Sequence, residues 1–132
     1  MRMRLKKVKQ VVKKVFGVDL RLHITTEMRD DVVAYEQWWD DQLEMLVNGN
    51  VVKNDEALVV AVAHGLAHKF VGSNKHDDRF FRMEKEVLEV LVKEMKLDMS
   101  KVREERDELY RIADISFKNV ETQQQITKQR RC

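Results

Sequence analysis

Apolar residues recur at helical spacing at the start of the chain, at Leu5, Val8, Val12 and Val15, with Lys6, Lys7, Lys9, Lys13 and Lys14 between them. This spacing predicts an amphipathic first helix with one packing face and one basic face, ending near Gly17. From Val18 the period changes to two. Val18, Leu20, Leu22 and Ile24 alternate with Asp19, Arg21, His23 and Thr25, the pattern of a strand with one buried face. The runs VVAYEQWW (32–39) and QLEMLVN (42–48) flank Asp40 and Asp41 and predict a hairpin. Strand alternation sends Trp38 and Trp39 to opposite faces, so one packs inward and the other, with Tyr35, is free to meet a partner.

Past the turn signal NGN (48–50), Asn54 is placed to cap a helix from about Asp55 to Val71, which Gly72 closes. Its packing stripe is Val59, Val62, Leu66 and Phe70. A polar loop, GSNKH (72–76), leads to a helix over about 77–97 whose apolar face is Phe80, Met83, Val87, Leu91 and Met95. Ser100 is the expected cap of a last helix carrying Val102, Leu109, Ile112, Ala113 and Phe117. The order of helix, three strands and further helices gives an α+β fold with a small, antiparallel-containing sheet. Residues 1–120 are expected to form one domain, and the polar stretch 121–132 a frayed tail.

Composition narrows the classes. The chain has 132 residues and no proline, against a usual frequency of roughly 5%, which favours one helix-rich unit over domains joined by linkers. Basic and acidic residues number 25 and 23, so the total charge does not by itself argue for nucleic acid. The lysine face of the first helix could contact phosphates or an acidic protein, or simply be solvated. Cys132 is the only cysteine, which excludes an intramolecular disulfide framework and a CxxC zinc ribbon and suits a reducing, cytoplasmic setting. No apolar run is long enough to span a bilayer, so no membrane partner is expected. The start of the chain lacks a secretory pattern; its basic, acid-free character is weakly like a transit peptide, and it is read as part of the fold.

Three of the four histidines fall in AVAHGLAHKFVGSNKHDDRFF (61–81). Residues four apart on a helix lie one above the other, so His64 and His68 can meet a single ion. The loop after Gly72 lets His76 return as a third nitrogen, and three protein ligands plus a water make the open arrangement of a catalytic zinc. The same spacing also suits surface histidines with no ligand.

HGLAH followed by KHDDRFF resembles the zinc-peptidase signature of SprT-like and related minimal zincins: HExxH, a loop, then a histidine followed by an aromatic. The likeness covers roughly residues 18–92. It implies a minimal zincin-like fold, zinc as cofactor, His64, His68 and His76 as ligands, Phe80 or Phe81 as the aromatic, and LEMLVN as the strand beside the cleft. It also implies a polypeptide or protein partner, with DNA-associated work common in the family. The departure is Gly65, where the family carries the glutamate that moves the proton of the attacking water. Glycine cannot, and inside a helix it costs ~1 kcal/mol relative to alanine, so a purely structural preference would not choose it. Three explanations follow: a pseudoenzyme that keeps its metal, an inactivating substitution in an active peptidase, or a base supplied by Asp77, Asp78 or Glu44. Asp77 and Asp78 have the simpler role of complementing a helix start.

Overall fold

The computed structural model describes residues 3–115. Its elements are α1 (Leu5–Phe16), β1 (Asp19–Thr25), β2 (Ala34–Trp39), β3 (Gln42–Asn48), α2 (Asp55–Val71), α3 (Asp78–Met95) and α4 (Met99–Ile112). The α+β expectation holds. Phe117 and the tail 121–132 lie outside the described residues. Among the described residues no helix is long and apolar enough to cross a membrane.

The sheet is mixed, in the order β1-β3-β2. β2 and β3 form the expected antiparallel hairpin, whereas β1 pairs parallel to β3, with Leu22 opposite Met45. The central strand is therefore β3, and β2 is an edge. Leu43, Met45 and Val47 of β3 are buried beneath the helices, and in register with them Ala34, Glu36 and Trp38 of β2 turn to the same face. The buried Asn48 fixes the approach to β2. Its amide donates to the carbonyls of Arg29 (2.9 Å) and Val32 (2.8 Å), while its side-chain oxygen accepts from the Asn50 amide (2.9 Å). At the other end, Asp40 takes φ +47° in the hairpin turn, and its carbonyl accepts a hydrogen bond from the Lys69 ammonium on α2.

Over the sheet lies α2, started by Asn54, whose side chain accepts from the Ala57 amide (2.8 Å). Every residue from Ala57 to His68 is buried, because sheet, α3 and α4 enclose the helix on all sides. Fully burying one such leucine or valine contributes roughly 1.5–3 kcal/mol, so this helix anchors the core. The stripe expected on it is only partly right. Val59, Val62 and Leu66 are buried, but Phe70 is 37% exposed, with its ring 5.7 Å from that of Phe16.

Two further differences are local. Val15, expected on the packing face of α1, is exposed, and Val11 takes its place beside Val8 and Val12. The last helix is capped by Asp98 rather than Ser100: the Asp98 carboxylate accepts from both the Ser100 amide (2.9 Å) and hydroxyl (2.8 Å), so Ser100 already lies inside the first turn. Asp77 caps α3 through the Phe80 amide (3.1 Å).

Candidate metal centre

His64 and His68 project from one face of α2, and the loop after it carries His76 back to them. Gly72, at φ +76°, makes the reversal possible, since a side chain is strained there. The turn it forms returns the Ser73 amide toward the His68 carbonyl (3.3 Å) and sets the Ser73 carbonyl 2.8 Å from His68 Nδ1. All three rings are buried and rest around Phe80, whose centroid lies 4.7, 4.4 and 5.0 Å from those of His64, His68 and His76. Phe81 lies farther out, 6.5 Å from His76, so Phe80 is the aromatic that floors the cluster.

The Nε2 atoms form a nearly equilateral triangle: 3.1 Å from His64 to His68, 3.2 Å from His68 to His76 and 3.2 Å from His64 to His76. Metal–nitrogen bonds of about 2.0–2.1 Å in tetrahedral geometry put ligand nitrogens about 3.3–3.4 Å apart, so the triangle fits one face of such a site. The outer partners fix the protons. A carbonyl only accepts, so His68 Nδ1 carries the hydrogen given to Ser73 and its Nε2 presents a bare lone pair. His64 Nδ1 lies 3.3 Å from Glu84 Oε2, and donating to that carboxylate leaves its Nε2 bare as well. Two lone pairs facing each other at 3.1 Å repel unless a cation or a proton stands between them. Burial, helped by any positive charge on His64 and opposed by the Ser73 hydrogen bond, pushes the His68 pKa down from 6.5 to about 3, so protonation of His68 beside a charged His64 is disfavoured. The donor set fits a metal ion.

Glu84 holds this arrangement from behind. Burial pushes its carboxyl up, but the hydrogen bond and charge of His64, the Arg106 charge and the Tyr110 hydroxyl outweigh it and hold it below the usual carboxylate range. Arg106 donates through Nε (3.0 Å) and a terminal nitrogen (2.5 Å) to Oε1, and the Tyr110 hydroxyl donates to Oε2. A carboxylate that orients a ligating histidine in this way sets its tautomer and raises its basicity. Sequence reading passed over Glu84, although it lies in the apolar stripe Phe80-Glu84-Val87-Leu91, where a buried acid is an anomaly. Arg106 and Tyr110 had no such signal.

Gly65 turns out to have a packing role. A Cβ there would meet Met45 Sδ at 3.1 Å, Met45 Cε at 3.3 Å and Leu43 Cδ2 at 3.4 Å. The glycine therefore lets α2 settle onto β3, and the expectation that structure alone would not choose it is corrected. Any side chain at 65 would require the ends of Met45 and Leu43 to give by a few tenths of an ångström.

The other proposed acids are elsewhere. Glu44 faces away from α2 and its histidines, accepting from the Gln37 amide (2.7 Å) and 3.7 Å from His23. Asp77 is occupied as a cap, and Asp78 lines a groove between α3 and α4 with Arg103 and Arg106. The strand beside the histidines is β2, not LEMLVN in β3: Trp38 stacks on His68 at 6.2 Å, and Glu36 Oε1 stands 3.9 Å from His68 Nε2. Trp39, on the opposite face, is exposed, as alternation requires. Lys6, Lys7, Lys9, Lys13 and Lys14 are all exposed on α1, which packs against β1 at the opposite edge of the sheet. Lys9 and Lys13 line a groove there with Arg21 and His23, together with Asp19 and Glu44. The structure does not bring the lysines to the histidines.

No protein-family model, no curated protein and no solved structure matches this chain.

Proposed function

We propose that the chain is a zinc-binding domain of the minimal zincin kind, similar to SprT-like peptidases, and that its cleft engages a polypeptide. The observation supporting this reading is the Nε2 triangle, with Ser73 behind His68 and Glu84 behind His64. Three neutral imidazoles closing on one point are donors suited to zinc. Zinc bound there would supply Lewis acidity toward a peptide carbonyl. The chain's own residues do the rest: Glu84 orients the His64 imidazole and the Ser73 carbonyl that of His68, and Phe80 packs against all three rings. The helix position that would move a proton is Gly65, so cleavage by a helix-borne glutamate is absent, and any peptidase activity by that route is lost.

The test is zinc per chain by elemental mass spectrometry, on protein purified without a histidine tag and on its His68→Ala variant. The reading expects about one zinc in the first and almost none in the second, because two remaining imidazoles do not close a site. Equal zinc in both, or none in either, would overturn it.

A further inference from the structure

Glu36 brings a carboxylate to the histidine cluster from the sheet. It sits in the middle of β2 and pairs with Met45, the residue whose sulfur lies against Gly65. Neighbouring strands lie about 4.7–4.9 Å apart, so the Glu36 side chain rises one strand over from the ground a side chain at 65 would cover. It points to the helix face, with its side chain only 5% exposed, and reaches His68 Nε2 at 3.9 Å. Burying a carboxylate is costly unless something positive or protic faces it.

We propose that Glu36 is the carboxylate of this metal centre, supplied by the edge strand in place of the helix, and that it acts on the fourth coordination position at one hydrogen bond's remove. The inference rests on the zinc reading above. The distance decides between direct and indirect action. A fourth tetrahedral ligand would stand about 3.3–3.4 Å from each Nε2, and 3.9 Å is too long for that. It is also too long for a hydrogen bond between the two groups. A carboxylate so placed accepts a hydrogen bond from a small protic ligand over the triangle.

Competing acids are committed elsewhere. Glu84 is held behind His64 by Arg106 and Tyr110, Asp77 caps α3, and Glu44 faces the other side of the sheet. In peptide hydrolysis Glu36 would take one proton from the attacking water as the new C–O bond forms. It would return that proton to the departing nitrogen as the C–N bond breaks, with one water consumed per peptide bond and the carboxylate regenerated.

The experiment loads wild type and Glu36→Gln with cobalt(II) and reads three things: cobalt per chain with its visible spectrum, the affinity for acetohydroxamate, and cleavage of labelled casein. Glutamine keeps the shape but cannot hold the proton of the bound hydroxamate. The expected result is equal cobalt in both proteins, hydroxamate affinity lower in the variant by about tenfold or more, and casein cleavage lower by roughly 10² or more. Unchanged hydroxamate affinity and cleavage would overturn the role of Glu36 while leaving the metal centre intact. Loss of cobalt from the variant would overturn it too, by making Glu36 a direct ligand. Absence of cobalt from wild type would remove the metal centre itself, and Glu36's role with it.

Discussion

The zinc-loaded chain melts roughly 10–20 °C above the metal-free chain at neutral pH. An ion present at about 1,000 times its dissociation constant stabilises the folded state by about 4 kcal/mol, and for a domain of this size each kcal/mol moves the melting temperature by several degrees. The ion would bridge nitrogens that already converge: His64 and His68 bring their Nε2 atoms to 3.1 Å of each other in a buried pocket. Acid acts in a defined direction. The folded-state pKa of His68, near 3, lies below its ordinary 6.5, so the unfolded chain binds the extra proton between those values. The contribution of His68 is complete above about pH 6.5 and is lost as the pH falls toward 3. Thermal melts with and without zinc, at pH 7.5 and pH 5, check both points. The difference between zinc-loaded and metal-free protein should shrink at the lower pH, because protonated imidazoles do not ligate. Identical melting with and without zinc would contradict the expectation.

Replacing Glu84 with alanine is the second large effect. The carboxylate is 1% exposed and receives Arg106, the Tyr110 hydroxyl and His64 Nδ1. Removing it leaves a largely buried guanidinium without its counter-charge, and breaking a buried pair in this way costs about 3–5 kcal/mol. Zinc affinity should fall as well, by roughly 10–100-fold, since His64 loses the group that sets its tautomer and orientation. Glu84→Gln retains the volume and one acceptor oxygen, and is expected to recover part of the stability but less of the metal affinity. Glu108→Ala is the control. Its partner Arg111 sits on the same exposed helix face, and that removal should leave both melting and zinc binding unchanged. Chemical denaturation and a competitive zinc titration on the three variants separate the two effects. A Glu84→Ala protein with wild-type stability and affinity would show that the network does not support the site.

The parts of this molecule that depend on neighbours in sequence were readable in advance. Asn54 and Gly72 bracket α2 because capping and a left-handed turn are local properties, and the two-residue period of β1 marks its buried face. The hairpin followed from Asp40 and Asp41 between two apolar runs. What sequence could not supply was lateral placement. Nothing in residues 18–25 says that β1 runs parallel to β3, which makes β3 central and gives β2 to the site. Glu36 becomes interesting only once β2 is an edge beside His68, and Gly65 is explained only by Met45 and Leu43, far earlier in the chain on another element. Glu84 was different. Its position in an apolar stripe was visible, but its meaning depended on Arg106 and Tyr110 from α4. The histidine cluster was legible because spacing on one helix and one short loop determines most of its geometry.

X-ray absorption at the zinc edge of the loaded protein tests the central claim most directly. The account predicts one zinc per chain with three imidazole nitrogens at about 2.0–2.1 Å and a coordination number near four, the spectrum losing its imidazole scattering in the His68→Ala protein. A shell of five or six oxygens, or a spectrum unchanged by that substitution, would contradict it and leave His64, His68 and His76 as a buried cluster with no metal to hold.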